Sequence, residues 1–533
     1  MTDVIVVGSG PGGTNAAAAL VAAGRRVRML DYGNRDTQYG PLIPGRPFSA
    51  IRREDGAQHR FFLGEHFEGV PFGPVRVGAQ LTPPRMYILR DAPERIPVDS
   101  PGFSASVSLA RGGLGAGWSA GVFPFDGDEL AAMGLALADL QPHYDAVVER
   151  IGVSGAADDL APFLPASPGI QPPLELDAAG EVLLERYGRR RSRLNAEGFF
   201  LGRLRAAACS RLHRNRGPCS YADMEYWADF DRAVYRPQWT LDELAAEAAF
   251  AYVDRRLVTG FREDADGVVV QAVHADTGAR EEHRARALVL AAGTIATAWL
   301  VLRSLDRVDA PVPMLCNPYS YAPMLNLGML RRPTRDRRHS LAQLTAIVRL
   351  PGAEQRLLQA QVFSYRSLLT FKLLKEVPVG HRDALRLLRL LMPKIAVLGI
   401  HHEDRPTPGK TCTLRRDADG RERLEIRYAP DPVEARRQRD DERTMRRFFR
   451  RLGCVPLATI HPGHGASIHY AGTFPICPGE RPLTCDRDSR LRGTRAVYLA
   501  DGSVFPWLPP KGLTFNIMAN ADRVGTLLAR RLA

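Results

Sequence analysis

Lysine is nearly missing from this chain: it stands only at positions 372, 375, 394, 410 and 511, so arginine supplies almost all of the 72 basic residues. The formal net charge is +13, but the basic residues are scattered among 59 acidic ones rather than gathered in a tail or an aromatic-interleaved stripe. No nucleic-acid-binding motif accompanies them. We therefore expect no nucleic-acid partner.

Long apolar runs are also missing. No uninterrupted apolar stretch reaches the roughly 18 residues that a membrane-spanning helix needs. Residues 1–3 lead straight into a strand-like run, without the charged and apolar regions of a secretion signal. The seven cysteines include no Cys-x-x-Cys pair, which argues against a zinc or iron–sulfur site. We expect a cytoplasmic protein with free thiols and no bound metal.

What the chain does contain is enough material for more than one domain. Its 533 residues, of which 45% are hydrophobic and 25% charged, have an ordinary globular balance and exceed the roughly 100–200 residues of a single domain. Such a chain can bury a large core together with a cofactor.

The first 31 residues have the pattern that opens a parallel nucleotide-binding sheet. An apolar run at 3–7 ends at a glycine, residues 14–24 favour a helix, and a second apolar run at 27–30 leads to Asp31. The turn between the first run and the helix is Gly8-Ser-Gly10-Pro11-Gly12-Gly13. Its glycines allow the backbone to approach a pyrophosphate at the N-terminus of the helix.

Asp31 follows Gly13 at nearly the ~20-residue spacing expected of a carboxylate that accepts the hydroxyls of an adenosine ribose. The same carboxylate disfavours a 2′-phosphate, so NADP is not expected. This unit alone does not separate FAD from NAD. The residues that we assign to the dinucleotide site are Gly8, Gly10, Pro11, Gly12, Gly13, Asp31 and the adjacent Tyr32.

Three later segments carry a more specific pattern. They are Ala110-Arg-Gly-Gly-Leu-Gly-Ala-Gly-Trp-Ser-Ala-Gly121, Leu288-Val-Leu-Ala-Ala-Gly-Thr-Ile-Ala-Thr297, and a C-terminal run from Val497 through Pro506 to Arg523. Their order resembles the FAD-dependent oxidoreductases of the glucose–methanol–choline (GMC) family. In that family the segments correspond to a glycine-rich flavin loop, a strand and turn near the adenine, and a signature ending in a helix that faces the flavin.

The resemblance implies an α/β fold of the glutathione-reductase-like type. A discontinuous, Rossmann-like FAD-binding domain would comprise residues 1–150, 240–305 and 465–533. An α+β substrate-binding domain, built on a mostly antiparallel sheet, would be inserted as residues 151–239 and 306–464.

The resemblance also implies how FAD is held. Covalent members of the family carry a histidine in the flavin loop, where this chain has Gly117 and Trp118, so we expect noncovalent FAD. A positive helix end beside the flavin would stabilise its anionic reduced form. The further cofactor-binding residues implied are Arg111, Gly113, Leu114, Gly115, Gly117, Trp118, Val258, Ala292, Gly293, Asp501, Gly502, Leu513, Thr514 and Phe515.

His469, in Ser467-Ile-His469-Tyr-Ala-Gly472-Thr473, matches the family's catalytic element. The resemblance implies that His469 takes the proton of a substrate hydroxyl while the carbinol hydride passes to flavin N5. An imidazole suits this task because its ordinary pKa lies near working pH. His461 and His464 stand in a loop-like sequence with too few ligands for a metal.

The family's second catalytic residue, a histidine or asparagine, falls at Gly512, which has no side chain. Lys511 or Asn516 are the candidates to assist His469, or His469 works alone. Our leading hypothesis is oxidation of an alcohol, such as a sugar, polyol or secondary-metabolite hydroxyl. The loss at Gly512 keeps open an isomerase or lyase on the same fold. No motif identifies the electron acceptor among oxygen, a quinone or a protein.

Two basic, leucine-rich stretches, at 366–375 and 382–392, leave a third hypothesis open, a membrane-associated protein that uses FAD structurally. The stretches could lie on a membrane or admit a lipidic substrate. Amphipathic helices that cover the sheet of the substrate domain are the favoured interpretation.

Overall fold

The computed structural model describes residues 2–69, 82–334, 337–351, 356–364, 380, 382–383, 386 and 390–533. The basic stretches at 366–375 and 382–392 lie outside the described residues, the first wholly and the second in part. Among the described residues, no helix combines the length and the apolar composition that crossing a bilayer requires. All seven cysteines are described, as buried free thiols.

The strands are distributed along the whole chain. In order they are β1 (Val4–Val7), β2 (Val27–Leu30), β3 (Val98–Asp99), β4 (Phe199–Arg203), β5 (Phe250–Val253), β6 (Arg256–Asp264), β7 (Gly267–His274), β8 (Arg280–Ala285), β9 (Ala287–Leu290), β10 (Pro311–Pro313), β11 (Leu315–Cys316), β12 (Tyr319–Asn326), β13 (Leu344–Arg349), β14 (Leu357–Ser364), β15 (Ile395–His401), β16 (Lys410–Arg416), β17 (Glu422–Tyr428), β18 (Cys454–Pro456), β19 (Tyr470–Ala471) and β20 (Val497–Leu499).

The α-helices of the described residues vary from a single turn to 20 residues. In order they are α1 (Pro11–Ala22), α2 (Phe48–Glu54), α3 (His59–Phe62), α4 (Ala92–Arg95), α5 (Gly127–Ala131), α6 (Leu137–Ile151), α7 (Ala178–Gly188), α8 (Arg191–Ala196), α9 (Pro237–Leu244), α10 (Thr294–Ser304), α11 (Pro432–Arg451) and α12 (Thr514–Arg531).

A parallel sheet with the strand order β20-β9-β1-β2-β5 forms the first layer of the fold. Every residue of the central strand β1 is buried, which is why it consists only of valine and isoleucine. Val4 and Val6 pack with residues of α1 and α12, whereas Ile5 and Val7 belong to the cluster on the other side of the sheet. The predicted strand–turn–helix–strand opening is confirmed, with the helix beginning at Pro11 instead of residue 14.

A second sheet, antiparallel and six-stranded, has the order β18-β12-β15-β14-β13-β4. Alternate residues of a strand point to opposite faces. On β15, Leu398 and Ile400 join a core cluster that includes residues of α7 and α11, such as Leu183 and Phe448. His401 and the residues two apart from it therefore point to the opposite face.

Each of the two largest sheets takes its strands from the residues of one predicted domain. All strands of the parallel sheet come from residues assigned to the FAD-binding domain, and all strands of the six-stranded sheet from residues assigned to the substrate-binding domain. The domain boundaries themselves stay a prediction.

Two details of secondary structure differ from the sequence pattern. The continuous helix expected over 130–151 is divided into α5 and α6 by a turn at Gly134, whose φ of +75° a helix does not tolerate. Residues 34–69 and 82–105, whose sequence has no sustained periodicity, form short helices, 3₁₀ turns and the strand β3.

Candidate active site

A cleft of about 1310 Å³, counting the part open to solvent, lies at the carboxyl ends of the parallel strands. In open parallel sheets this is the edge at which ligands bind. Its walls come from the turn after β1, the 106–119 segment, the turn after β9, the 467–470 loop, residues 501–502 and the start of α12. Segments far apart in the sequence thus meet around one elongated cleft.

Three helices begin at this cleft. Residues at the first turns of α1, α10 and α12 line it, and none of the three helices has a side-chain cap at its N-terminus. Uncapped N-termini present free N–H groups and the positive end of the helix dipole. The cleft is therefore suited to a ligand with several negative or electron-rich groups, such as a dinucleotide pyrophosphate.

The N-terminal turn needs glycine for two physical reasons. Gly8 has a φ of +94°, and a Cβ there would lie 2.7 Å from the carbonyl oxygen of Ala291. At Gly12 a Cβ would lie 1.9 Å from the carbonyl oxygen of Ala500. The turn can thus pack closely against both neighbouring strand ends and leave its outer side to the cleft.

Asp31 is buried at the end of β2 and lines the cleft. Its Oδ2 accepts hydrogen bonds from Ser9 Oγ (2.5 Å) and from the Tyr252 hydroxyl (2.9 Å). The backbone N–H of Gly112 donates in turn to Ser9 Oγ at 2.9 Å. Burial raises the pKa of Asp31 to about 6, although these hydrogen bonds act in the opposite direction. The carboxylate therefore connects the glycine turn to the glycine-rich loop.

Asp501 connects the C-terminal segment to α10. Its Oδ2 accepts hydrogen bonds from the Gly293 N–H (2.9 Å) and from Thr297 Oγ1 (2.5 Å), and its Oδ1 accepts one from the Ser503 N–H (2.9 Å). Burial raises the pKa of Asp501 above its ordinary value. This carboxylate fixes two sides of the cleft relative to each other.

The cleft brings together most of the residues predicted to bind the cofactor. These are Gly8, Gly10, Pro11, Gly12, Asp31, Gly113, Leu114, Gly115, Gly117, Trp118, Ala292, Gly293, Asp501, Gly502, Leu513 and Thr514.

Five of the predicted cofactor residues do not line the cleft. A Cβ at Gly13 would lie 1.8 Å from the carbonyl oxygen of Gly8, so Gly13 serves the packing of the turn. Tyr32 is buried with the Arg255 guanidinium 4.9 Å from its ring centroid. Arg111 pairs with Asp242 at 2.6 Å.

The other two are apolar. Val258 lies on β6, which follows β5 in the sequence and belongs to a separate three-stranded sheet. Its side chain is buried in the core. Phe515 stacks on Tyr144 with 5.4 Å between the ring centroids. Both side chains therefore contribute to the core instead of the cleft.

A smaller cavity adjoins the cleft. Trp118, Ser119, Ser467 and His469 line both spaces. Its remaining walls come from the six-stranded sheet and from residues near the start of α12. They are formed by Gly121, Phe123, Tyr319, Tyr321, Gln361, Phe363, His401, Ala466 and Gly512.

His469 stands where the two spaces meet. Its Nδ1 is buried and has no hydrogen-bond partner among the described residues. Its ring stacks on that of His401, with 5.3 Å between the centroids and 19° between the planes. Burial lowers the pKa of His469 to about 4. The assumption of a pKa near working pH is thus wrong, but the neutral ring at neutral pH is the form that a proton acceptor requires.

The C-terminal part of the chain carries the family resemblance. A family model described as GMC oxidoreductase matches residues 408–521, a range that contains His469 and the Asp501–Phe515 signature. This part of the chain is thus similar to the GMC oxidoreductases. The chain is 26% identical to paromamine 6'-oxidase from Streptomyces fradiae, in an alignment that covers all of this chain and 93% of the relative.

The fold of the chain matches that of pyridoxine 4-oxidase from Mesorbium loti, with a TM-score of 0.57 and 14% identity over 99% of both chains. The predicted fold class is therefore confirmed by the structural match, and the predicted resemblance to the GMC family by the family model. GMC oxidoreductases generally depend on a flavin, and the cleft lies where their motifs meet.

The fold does not bring Lys511 to the cavity. Its ammonium group is buried, 2.7 Å from Glu129 Oε2 and 3.2 Å from Asp126 Oδ2, and also contacts the carbonyl oxygens of Pro124 and Phe163. The backbone directs the side chain away from His469. Lys511 is thus an unsuitable partner for the His469 imidazole.

Asn516 is also directed elsewhere. Its Oδ1 accepts hydrogen bonds from the Phe125 N–H and the Tyr144 hydroxyl, both at 2.8 Å. Its Nδ2 donates to the carbonyl oxygens of Phe123 (2.9 Å) and Gly512 (3.3 Å). All the polar groups of Asn516 are used to hold the cavity wall in place.

At Gly512 a side chain would meet the Phe123 ring. A Cβ there would lie 3.1 Å from Phe123 Cδ2. The Phe123 ring thus packs closely against the position where the family has its second catalytic residue. His461 pairs with Glu442 at 2.8 Å, and the His464 ring lies against Tyr428. Neither histidine lines the cleft or the smaller cavity.

The residues of the six-stranded sheet that face the smaller cavity were not predicted from the sequence. Their signal was a two-residue periodicity that places polar or aromatic side chains on one face, as at Tyr319 and Tyr321 or at Gln361 and Phe363. Alternation gives the two faces of a strand but not which face borders a site, so the pattern alone could not assign them. Ser9, Ile88, Ser106 and Ser119 also line the cleft, but they lie in loops and a 3₁₀ turn without a periodic signal.

Proposed function

We propose that this protein oxidises an alcohol with noncovalently bound FAD, with His469 as the proton acceptor. The single observation that carries the proposal is the position of His469, which is neutral at neutral pH and lines both the long cleft and the smaller cavity. The cleft would hold FAD, and the smaller cavity would hold the alcohol. Catalysis then takes place at their junction.

Several features of the cleft fit FAD. Asp31 can accept hydrogen bonds from ribose hydroxyls, and the N-terminus of α1 can bind the pyrophosphate. Trp118 and Gly117 line the part of the glycine-rich loop where covalent members carry a histidine. Acid precipitation should therefore release the flavin into the supernatant, whereas a yellow pellet would contradict the noncovalent assignment.

When bound, FAD supplies the two-electron acceptor that takes the hydride of the carbinol carbon. A residue of this chain takes the proton of the substrate hydroxyl. His469 accepts the hydroxyl proton on its free ring nitrogen, so the substrate oxygen can become a carbonyl oxygen. The uncapped N-terminus of α12, at Leu513 and Thr514, places a positive dipole end at the junction.

Anaerobic mixing with a panel of alcohols tests the proposal. The panel contains sugars, polyols and paromamine, the last because of the name of the relative from Streptomyces fradiae. Bleaching of the visible flavin band with formation of the carbonyl product is the expected result. Product without net bleaching would indicate an isomerase or lyase instead. If no compound of the panel bleaches the flavin or forms a product, alcohol oxidation is contradicted.

Replacement of Asp31 by alanine tests the cofactor half of the proposal. We expect FAD to bind about 10- to 100-fold more weakly, because the buried ribose hydroxyls and the hydroxyls of Ser9 and Tyr252 lose their acceptor. The dissociation constant is measured by flavin fluorescence. Asp254→Ala, with an exposed carboxylate near Arg35, is the matched control. Equal affinities of the two variants would disprove the role of Asp31.

The pKa of His469 sets the expected pH dependence. A base must be unprotonated, and the pKa of about 4 keeps His469 in that form throughout the neutral range. We therefore expect the rate of anaerobic flavin reduction to show no inflection from about pH 5.5 to about pH 8 and to fall only in more acidic solution. Rapid-mixing measurements across that range check this. An inflection near the ordinary histidine pKa would show that burial does not lower the pKa of the base.

A further inference from the structure

Two imidazole rings face the smaller cavity, although the sequence motifs identify only one. His401 ends β15, and His469 lies in the loop before β19. The rings are nearly parallel, with 5.3 Å between centroids, and both line the cavity. The second imidazole comes from the substrate-binding sheet and not from the C-terminal signature.

The position of His401 follows from strand register. His401 pairs with Tyr319 of β12 and Gln359 of β14, while Gly399 pairs with Tyr321 and Gln361. A Cβ at Gly399 would lie 1.9 Å from the Tyr319 hydroxyl oxygen, so the missing side chain leaves space beside His401. The Tyr319 ring contacts that of His401 at 4.6 Å between centroids. Packing thus holds the imidazole at the cavity wall.

The polar atoms around His401 are incompletely satisfied. Its Nδ1 is buried and has no hydrogen-bond partner among the described residues, and neither do the side-chain amide atoms of Gln359 opposite. The Nε2 atoms of His401 and Gln361 lie 3.5 Å apart, at the limit of a hydrogen bond. Buried polar groups without partners are costly and are characteristic of sites that bind a ligand.

The two rings can have different roles toward one substrate oxygen atom, one as a proton acceptor and the other as a hydrogen-bond donor. A neutral imidazole has one N–H donor and one bare acceptor nitrogen. Both rings line the same cavity with 5.3 Å between their centroids, so one ligand oxygen in the cavity can approach the edges of both rings. The bare nitrogen of His469 can accept the hydroxyl proton while an N–H of His401 holds the same oxygen.

We propose that His401 is the second catalytic imidazole of this enzyme and donates a hydrogen bond to the substrate oxygen, in place of the partner that is missing at Gly512. This proposal rests on the proposed alcohol oxidation. The hydroxyl proton passes to His469, and the carbon-bound hydrogen would pass to FAD as a hydride, together with the electron pair of its C–H bond. His401 keeps its own proton and stabilises the negative charge that develops on the oxygen.

The environment of His401 suits a neutral donor. Burial lowers its pKa well below the ordinary value, and the neighbouring His469 and His402 act in the same direction. When His469 gains the substrate proton, it lies against a neutral ring. A second imidazolium in the stack would repel that charge.

Three substitutions of His401 test the proposal in the holoenzyme. His401→Phe keeps a stacking ring but has no N–H, so we expect anaerobic flavin reduction to slow about 100-fold. His401→Asn and His401→Gln keep an N–H donor and should recover about tenfold of that loss. Ile400→Ala perturbs the same strand from its helix-covered face and is the control, with a reduction rate within about twofold of wild type.

Rates of His401→Phe equal to wild type, or no recovery with either amide, would overturn the role of His401. A readout without turnover separates this result from failure of alcohol oxidation. Acetate, as an oxygen ligand, is titrated into the oxidised holoenzyme and followed by the flavin spectrum. We expect binding at least tenfold weaker in His401→Phe, restored by the amides. Equal affinities, or no acetate binding by wild type, would contradict the proposal even if no alcohol reacts.

Discussion

His469→Ala should slow anaerobic flavin reduction about 10²- to 10⁴-fold, measured with the alcohol that reduces the wild-type flavin fastest. This factor is the usual contribution of a positioned general base. The physical reason is that the alanine variant has no acceptor for the hydroxyl proton at the junction of cleft and cavity. Stopped-flow absorbance of the flavin band measures the rate. Flavin content must stay near that of the wild type, so that the loss is one of proton transfer and not of cofactor.

The matched control for this substitution is His461→Ala. His461 lies in the same stretch of chain, but its side chain is 59% exposed and pairs with Glu442 away from both spaces. We expect its reduction rate to stay within about twofold of wild type. If His469→Ala reduces flavin as fast as this control does, the base lies elsewhere.

Lys511→Met should destabilise the protein by about 3–5 kcal/mol, the usual cost of removing one partner of a buried ion pair. Glu129 is buried with Lys511 as its nearest cation, and burial raises the pKa of Glu129 to about 7. A carboxylate whose pKa is raised in the folded state is favoured there in its protonated form. The loss of stability should therefore be larger at pH 8 than at pH 6. Denaturant unfolding at both pH values measures it.

Two further variants make the Lys511 prediction specific. In Lys511→Met with Glu129→Gln, the buried carboxylate is gone and only the partly exposed Asp126 loses its cation, so much of the lost stability should return. Lys394→Met, at a half-buried lysine before β15, should change stability by less than about 0.5 kcal/mol. If Lys511→Met is as stable as wild type but no longer reduces flavin, Lys511 would instead have a direct role in catalysis.

Local sequence patterns predicted many residues that line the long cleft because a short segment is sufficient to specify each part. The β1–α1–β2 opening needs only an apolar run, closely spaced glycines and a helix-forming run, and the cleft contains Gly8, Gly10, Gly12 and Asp31 as expected. The C-terminal signature likewise places Asp501 and Leu513 at the cleft. These residues act largely through backbone geometry, which the sequence specifies locally.

Side-chain direction was the part that local patterns could not give. Lys511, Phe515 and Asn516 lie beside residues that line the cleft or the cavity, yet their side chains point into the core. Their direction depends on how α12 packs against the rest of the fold. A motif position is therefore a weaker guide to a side-chain role than to a backbone role.

The sequence by itself determined the resemblance to the GMC family, the parallel sheet and His469 as the residue to test, because these follow from contiguous patterns of glycine, apolar residues and one conspicuous histidine motif. Only the tertiary structure decided what lies beside His469. Phe123 packs against Gly512, and β15 brings His401 from a distant part of the chain into contact with the His469 ring. Contacts between separate sheets depend on packing and register, which no single segment encodes.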